Sequence, residues 1–422
     1  MRVQRLLFPF FLCISILGFG QTKQMEGQLE ASGKLVGALS GNYVSFKHQN
    51  KYAITRFDGK LMQEGIESSR GLLSTQPLNI EYGVYFEKEG KNFILKSIDG
   101  TPLNEAVFSK FKPFQLSNTV AEITDGEGDK SYAYLDTLGH IFAQYDLERY
   151  YRIFGINLFE GFHNTDGYVA KSILFTDDNF RLYSEGLLAL QHPENGLWGF
   201  VDSTMHLVIP ARYTDVGPFM EGKAAFKNVN GLWGFINTKG ETVIAPRFKI
   251  APSGFFAQRA RIQSENGQFG YIDRAGNTVI DPQYASATNF YKGYALVRVG
   301  DGTPIRLIDQ NGTVLAQFDA RYQYFDSDAG KGMWNAKVNP YHVAETLVQL
   351  VDMGKGVFHD GKHYGILSKS GEIVLPFQYA YIKDYAGGRL LGIRSSFVQG
   401  KLKNEYYLMN DKGEAYIQFN GR

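Results

Sequence analysis

Two short segments of this 422-residue chain contain residue types that bind metals, and they are the first candidates for chemistry. His359–His363 reads His-Asp-Gly-Lys-His, and Asp125–Asp129 reads Asp-Gly-Glu-Gly-Asp. Two histidines leave a zinc site short of its usual four ligands. The acidic segment lacks the bidentate glutamate that completes an EF-hand calcium loop. Both segments have glycine where a tight turn needs it, so we predict turns and assign no metal, cofactor or catalytic residue.

One tryptophan stands apart from the regular pattern of the chain. Trp334 lies in the Gly-rich segment Gly330–Asn335, and Tyr341 follows shortly after it. An aromatic side chain on such a loop can stack on a sugar or anchor a peptide. The alternative interpretation is that Trp334 packs against a neighbouring helix. Trp334 and Tyr341 are therefore the predicted ligand-binding residues.

The N-terminal segment has the pattern of a secretory signal peptide. Arg2 and Arg5 precede an apolar run over 6–19 that is too short to span a membrane. Small residues fit cleavage after Gly20, so we predict a secreted or periplasmic protein that is not integral to the membrane. The only cysteine, Cys13, lies in this segment, so we expect no disulfide in the mature chain.

The charge balance excludes one class of partner. The chain has 44 Lys and Arg against 43 Asp and Glu, and removing the two arginines of the signal peptide changes the formal net charge from +1 to −1. This balance gives no bulk electrostatic reason for binding nucleic acid or an anionic membrane, and we expect no nucleic-acid partner. The 47 Gly, 26 Tyr and 32 Phe with only 13 Pro favour many short strands and tight turns.

An aromatic-glycine unit recurs along the chain and sets its organisation. The three clearest copies are anchored at Trp198, Trp233 and Phe269, which are 35 and 36 residues apart. Weaker copies have an aromatic or apolar anchor with a glycine seven residues later, and these anchors are Tyr52, Phe93, Tyr132, Ile305, Tyr364 and Tyr406. A second motif, two aliphatic residues before a proline, ends at Pro210, Pro246, Pro282 and Pro376.

Each clear copy predicts a three-stranded antiparallel meander and a connector. In one copy we expect strands at Lys223–Lys227, Leu232–Asn237 and Glu241–Ile244. Asn230-Gly231 is predicted to form a two-residue hairpin turn, and Pro246 ends the third strand because it has no N–H. The middle strand is apolar on both faces, so copies must stack on each other. The predicted packing residues are Trp198, Gly199, Trp233, Gly234, Phe269, Gly270, Tyr364 and Gly365.

These copies resemble the WG-repeat family, which is named for its Trp-Gly pair. The resemblance is strong over about 184–300, and in outer copies residues such as Ala53 and Arg306 replace the glycine. The looser matches cover 43–140, 305–320 and 357–420. The resemblance implies a β-rich repeat domain of bacterial proteins, often secreted, and it supplies no catalytic residues.

We therefore predict an all-β chain of stacked three-stranded meanders in a solenoid-like array, with a β-propeller as the alternative. The predicted organisation is a signal peptide at 1–20, divergent repeats at 21–182 with an insertion near 140–182, well-formed repeats at 183–320, an insertion at 321–356 with a short helix within 341–351, and C-terminal repeats at 357–422. The predicted function is a non-catalytic envelope scaffold that binds a protein or peptide. A glycan-binding module and a hydrolase with a site built from the insertions are the alternatives.

Overall fold

Nearly every element of the described chain is a β-strand, which confirms the all-β prediction. The computed structural model describes residues 183–324 and 343–385 without a gap, and 83–145 and 389–421 with short gaps. It also describes separate stretches between 23 and 67 and residues 152–153. The chain divides into two units, one of Met1–Ile141 with Gln378–Arg422 and one of Phe142–Phe377.

The N-terminal strands form two sheets in chain order. Strands β2 to β5 make a four-stranded sheet and strands β6 to β11 a six-stranded sheet. The strands up to this point are β1 (Lys23–Gln24), β2 (Leu39–Ser40), β3 (Tyr43–His48), β4 (Lys51–Arg56), β5 (Leu61–Glu67), β6 (Val84–Glu89), β7 (Asn92–Ser97), β8 (Phe108–Phe111), β9 (Asn118–Thr124), β10 (Lys130–Asp136) and β11 (Ile141–Tyr145).

The middle of the chain forms five small sheets, each paired in chain order. The first has three strands, β12 to β14, and the next four have four strands each. These elements are β12 (Leu187–Gln191), β13 (Trp198–Asp202), β14 (Leu207–Tyr213), β15 (Asp215–Val216), β16 (Lys223–Lys227), β17 (Trp233–Asn237), β18 (Thr242–Phe248), β19 (Phe255–Phe256), β20 (Arg259–Gln263), β21 (Phe269–Ile272), β22 (Thr278–Tyr284), β23 (Ser286–Ala287), β24 (Tyr294–Arg298), β25 (Ile305–Asp309), β26 (Val314–Phe318), β27 (Gln323–Tyr324), α1 (Glu345–Asp352), β28 (Lys355–His359), β29 (Tyr364–Ser368) and β30 (Ile373–Tyr379).

The last sheet joins both ends of the chain. Its C-terminal strands are β31 (Tyr381–Tyr385), β32 (Arg389–Val398), β33 (Lys401–Asn410) and β34 (Ala415–Gly421). Strand β1 pairs in parallel with β34, with Lys23 opposite Ile417. The sheet therefore needs a strand from the start of the chain to reach its five-stranded form.

The predicted three-stranded meander is present, and a short fourth strand adds to it. Strands β16 to β18 are the predicted meander, but β18 continues through Pro246 to Phe248, so the prediction that Pro246 ends this strand is wrong. The proline lies within the bulge between the paired residues Ile244 and Phe248, where a missing N–H is tolerated. Strand β15 pairs with β16 through Asp215 opposite Lys227. The two residues of β15 are too few to show the alternation that identifies a strand in a sequence. Because propeller blades also have four strands, the strand number fits the propeller alternative as well as the stacked array.

The turn before the middle strand differs from its prediction. The Gly231 N–H donates to the Asn228 carbonyl over 3.0 Å, and the Asn228 N–H donates to the Leu232 carbonyl over 2.9 Å. The loop is therefore longer than two residues, and of the Asn230-Gly231 pair only the glycine has positive φ, at +80°. The prediction of a two-residue turn at Asn230-Gly231 is wrong, because the loop has three residues, Val229-Asn230-Gly231, and its single left-handed residue is the final glycine.

The two-residue hairpin of this copy lies at Glu221-Gly222. Both residues have positive φ, 52° and 76°, which is the type I′ pattern. Met220 and Lys223 exchange both backbone hydrogen bonds across the turn. A non-glycine residue with this backbone conformation costs about 1–2 kcal/mol, so sequence propensity alone does not predict Glu221 there.

The middle strands are packed on both faces, which confirms the stacking of copies within the Phe142–Phe377 unit. Trp233 and Phe235 belong to one core cluster with Ile272 of the following copy. Ile236 belongs to another cluster with Phe200 of the preceding copy. Since successive residues of a strand face opposite sides, each middle strand contributes to two cores.

The glycine that follows the aromatic anchor in these copies faces a bulge in the next strand. Trp233 pairs with Phe248 and Phe235 pairs with Ile244, so Gly234 alone lies opposite three residues of β18. An ideal Cβ on Gly234 would lie 2.5 Å from the Ile244 carbonyl oxygen. The glycine is therefore needed because the bulged backbone passes where a side chain would begin.

Candidate interaction surface

A second bulge in β18 directs an aliphatic side chain to the surface. Phe235 pairs with Ile244 and Ile236 pairs with Thr242, which leaves Val243 without an opposite residue. Bulges of this kind redirect the extra side chain. Val243 is 37% exposed, whereas its neighbours Thr242 and Ile244 are both paired with residues of β17.

The same bulge occurs at the same register in four successive sheets. The extra residues, which we call the aliphatic row, are Val208, Val243, Val279 and Leu315. Their exposed fractions are 42%, 37%, 39% and 48%. Each lies on the last strand of its sheet, at the edge of that sheet among the described residues. Single exposed valines are ordinary, whereas these four sheets expose an aliphatic residue at the same register each time.

The neighbouring positions of the same strands extend the apolar character of the row. Further exposed aliphatic residues on last strands are Leu207, Val314 and Ile373. The bulges and the prolines of β14, β18 and β22 interrupt the regular backbone ladder at these edges. An interrupted edge is a poor template for adding another strand. The surface therefore offers side-chain contacts rather than backbone pairing.

Contacts between copies hold the row in place. The Arg212 side chain donates from Nη2 to the Gly240 carbonyl over 2.7 Å and stacks over the Tyr213 ring, with its Cζ 5.2 Å from the ring centroid. The Ile244 side chain packs against the turn glycine of the next copy, Gly276. These contacts link the last strand of one sheet to the turn before the last strand of the next.

The strained turns also connect successive copies. Glu185 Oε2 accepts a hydrogen bond from the Gly222 N–H over 2.8 Å. Glu221 Oε2 accepts one from the Gln258 N–H over 2.9 Å. Each carboxylate reaches the equivalent turn of the following copy. Glutamate at these left-handed positions is therefore explained by an inter-copy bond that offsets the backbone strain.

The His359–His363 segment forms a turn, as predicted. Asp360 Oδ1 accepts hydrogen bonds from the N–H groups of Lys362 and His363, at 2.9 and 2.7 Å. Gly361 has φ +94°. Burial lowers the pKa of His359, which disfavours its charged form. The arrangement satisfies the turn backbone, and His359 Nδ1 contributes by accepting a hydrogen bond from the Gly361 N–H over 3.1 Å.

The acidic segment at Asp125–Asp129 also begins and ends with turn contacts. The Asp125 N–H donates to the Asp129 carbonyl over 3.0 Å, and Asp125 Oδ1 accepts from the Asp129 N–H over 2.9 Å. Residues 126–128 lie outside the described part of the chain. Across the described residues, no group of three or more His, Cys, Asp or Glu side chains is placed to hold a metal ion.

A buried carboxylate that the sequence pattern did not single out lies on β9. Glu122 is 1% exposed, and its Oε1 accepts hydrogen bonds from Lys130 Nζ over 2.7 Å and from Ser109 Oγ over 2.6 Å. Burial favours the neutral acid, but these two bonds and the nearby Lys110 hold the pKa of Glu122 below its usual value. The buried carboxylate is thus paired with two lysines that are themselves partly exposed, as part of the six-stranded sheet.

The predicted helix of the second insertion is present as α1. Leu347 and Leu350 are buried in a core cluster with Phe358, which confirms the helical spacing of the apolar residues. Gln349 Oε1 accepts from the Val357 N–H over 2.7 Å. Thr346 Oγ1 donates to the Val357 carbonyl over 2.8 Å. The helix thus satisfies part of the edge of β28 where the short strand β27 does not reach.

The two predicted ligand residues of this insertion, Trp334 and Tyr341, lie outside the described residues, as does most of the earlier insertion near 140–182. The repeat-packing residues are described: Trp198, Trp233 and Tyr364 are buried and Phe269 is half-buried. The aliphatic row was not identified from the sequence. Its signal is an aliphatic residue three positions after the turn glycine, as in Gly240 to Val243 and Gly276 to Val279.

Comparison with known families and structures gives the following findings. The model described as "WG containing repeat" matches residues 198–233, 233–266, 269–302 and 364–393. No curated protein matches the chain. No helix of the described residues is both long and apolar enough to cross a membrane.

Several solved structures resemble the chain at low sequence identity. BamB from Moraxella catarrhalis has 11% identity and a TM-score of 0.32, with 67% of this chain and 87% of that one covered. The WD40 β-propeller domain of Doa1 has 9% identity and a TM-score of 0.27, with 67% and 88% covered. An uncharacterized protein of Listeria monocytogenes has 12% identity and a TM-score of 0.30, with 71% and 96% covered.

Proposed function

Because the chain carries WG repeats, we propose that it is a non-catalytic scaffold that binds a protein or peptide through the aliphatic row. The observation that supports this function is the repetition of Val208, Val243, Val279 and Leu315 at one register of four sheets. Repeat arrays present extended surfaces of this kind to other polypeptides. The proposal includes a secreted or periplasmic location, which is based on the N-terminal pattern of residues 1–20.

The chemistry of the surface favours a polypeptide over a glycan. The large hydrophobic side chains that are exposed among the described residues are all aliphatic. Sugars are usually held by exposed aromatic faces, whereas aliphatic patches bind apolar side chains of proteins. A partner that places one apolar side chain against each member of the row would use the spacing of the copies as its recognition rule.

The test uses paired charge substitutions on one strand face. The partner is first identified with a photo-crosslinking amino acid at Val243 or Val279, in envelope extract of the source cell. A crosslinker at Val229, which is 76% exposed on a turn, is the control for random capture. The purified partner is then titrated against the wild type, Val243→Asp/Val279→Asp, and the matched control Thr242→Asp/Thr278→Asp.

We expect the row variant to weaken the affinity at least tenfold, and the control to bind as the wild type does. Thr242 and Thr278 are exposed next to the row residues, so the control adds the same charges to the same strands. Equal affinity of all three proteins would overturn the assignment of the surface. Equal crosslinking from Val229 and from the row would contradict a specific partner.

A further inference from the structure

A cationic side chain connects the first two strands of the aliphatic row. Arg212 lies on β14, the strand that carries the row member Val208. Its Nη2 donates to the Gly240 carbonyl over 2.7 Å, and Gly240 belongs to the turn that precedes the next row member, Val243. The guanidinium is therefore held between the strands of two neighbouring members of the row.

The next copy repeats this arrangement. Arg247 has the same position on β18, and its Nη2 donates to the Gly276 carbonyl in the turn that precedes Val279. Its Cζ lies 5.0 Å from the centroid of the Phe248 ring. A ring and a carbonyl thus fix this guanidinium, as they do for Arg212. A partner would not have to order these side chains when it binds.

Neither of these positive charges is neutralised within the described part of the chain. Both arginines are exposed, and no salt bridge joins Arg212 or Arg247 to a described carboxylate. By contrast, Lys249, close to Arg247 in the sequence, pairs with Glu265 over 2.8 Å. A guanidinium has five N–H donors, and the internal acceptors use only some of them. The two arginines therefore present charge and free donors beside an apolar surface.

Packing of the copies does not by itself require an arginine at this position. The third copy has Gln283 there, yet β22 keeps the bulge at Val279 and a buried aromatic residue, Tyr284. It also has the exposed Asp281 where β18 has Ala245. At this register the cations are therefore confined to the first two intervals of the row, and a carboxylate lies in the third.

We propose that the partner of the aliphatic row is an acidic, apolar polypeptide segment. Its carboxylates bind Arg212 and Arg247, and its apolar side chains cover the row. This inference rests on the proposed function and specifies the chemistry of the partner. An arginine binds a carboxylate through two parallel hydrogen bonds, and a pair that is partly covered by apolar groups is screened less than one in open solvent. A polyanion without apolar groups would contact the arginines but leave the row uncovered. Asp281 gives the segment a direction, because it repels an acidic residue in the third interval.

Selection from a random dodecapeptide library displayed on phage tests the chemistry of the ligand. The bait is the chain that starts at Gln21, and clones that also bind Val243→Ser/Val279→Ser are discarded. This variant removes apolar groups without adding charge, so the remaining clones are ligands of the row. We expect Asp and Glu in these clones at more than twice their frequency in the input library, together with large apolar residues. Apolar ligands without acidic enrichment would overturn this inference and leave the proposed function intact. If no clone distinguishes the two baits, the proposed function fails and this inference fails with it.

Titration of one synthetic peptide from that selection tests the two arginines themselves. We expect Arg212→Gln/Arg247→Gln to weaken its binding about tenfold. Glutamine is the residue that the third copy has at this position. The control Lys249→Gln/Lys362→Gln makes the same change in charge at exposed residues outside the last strands and should stay within twofold of the wild type. Equal binding by the two double variants would overturn the proposal.

A charge-conserving variant separates the role in binding from the role in packing. Arg212→Lys/Arg247→Lys loses the planar contacts with ring and carbonyl but keeps both positive charges. We expect it to bind the same peptide within about threefold of the wild type, while the glutamine variant does not. If the lysine and glutamine variants lose affinity equally, the arginines act only through the packing of the copies, and the proposal is wrong.

Discussion

The copy built from β16 to β18 and the copy built from β24 to β26 solve the same packing problem differently. In the first, Gly234 faces three residues of the next strand, which bulges around Pro246. In the second, Arg306 occupies the glycine position and faces only Gln317 in a regular ladder. The strand opposite Arg306 also has no proline. The glycine and the proline motif therefore occur together, because the bulge that contains the proline needs a residue without a side chain opposite it.

A third copy falls between these two. Tyr52 pairs with Ile66 and Ile54 pairs with Gln63, so Ala53 lies opposite two residues. The number of opposing residues thus decreases from three to two to one as the residue changes from glycine to alanine to arginine. The size of the side chain at this position and the size of the bulge across from it change together. The bulge next to the row, in contrast, is kept at Leu315.

The largest expected effect is on the anchor of the bulged copy. Trp233→Ala should lower the free energy of unfolding by about 3–5 kcal/mol, because a buried aromatic residue is deleted from a core shared by two copies. Chemical denaturation measures the change. Val229→Ala, at an exposed turn of the same copy, is the control and should change stability by less than about 0.5 kcal/mol. Similar midpoints for the two variants would show that Trp233 is not part of a packed core.

The second prediction tests the glycine position itself. Gly234→Ala should cost about 1–3 kcal/mol, because the new Cβ would collide with the backbone of the bulge. Arg306→Ala should change stability by no more than about 0.5 kcal/mol, since its strand is regular there. The two unfolding free energies are compared by urea titration. If both substitutions cost the same, the difference between the two copies does not come from the bulge.

The third prediction concerns the strained turns. Glu221→Ala removes the hydrogen bond to Gln258 and should cost about 1 kcal/mol. Glu194, exposed on another turn, provides the control, and Glu194→Ala should be nearly neutral. Differential scanning calorimetry of the two variants measures the difference. A neutral Glu221→Ala would mean that the inter-copy bond does not offset the strain of the turn.

The smallest expected effect concerns the turn at Lys292-Gly293, which is the counterpart of Glu221-Gly222 in the copy built from β24 to β26. There Lys292 Nζ donates to Asp352 Oδ1 of α1 over 2.8 Å, and this bond holds the pKa of Asp352 below its usual value. A lowered pKa contributes stability above the ordinary carboxyl range, and that contribution is lost as the pH falls through the lowered value. Lys292→Met should therefore raise the pKa of Asp352 toward its usual value. NMR titration of the Asp352 carboxyl checks this, and an unchanged pKa would contradict the contact.

The repetition in the sequence predicted the arrangement of the middle strands. The strand that carries each aromatic anchor is apolar on both faces, so it must be covered on both sides. The sequence also predicted α1, since the spacing of Leu347 and Leu350 is helical. The type I′ turn at Glu221-Gly222 was not predicted, because Asn230-Gly231 is the more favourable dipeptide for such a turn. At Glu221 the hydrogen bond from the Gln258 N–H of the next copy offsets the unfavourable backbone conformation of the glutamate.

The aliphatic row was not predicted for a related physical reason. Alternation along β18 assigns Thr242 and Ile244 to one face and Val243 to the other, as in any strand. Only the pairing register shows that Val243 has no partner and is turned outward. Bulges depend on two strands at once, so a pattern read along one strand does not reveal them.

The parallel pairing of Lys23 with Ile417 limits how early the C-terminal sheet can be completed during synthesis of the chain. Its two strands are far apart in the sequence, so the second is synthesised long after the first. Contacts of such sequence separation form late and slowly. This sheet therefore gains β1 only after β34 has been synthesised.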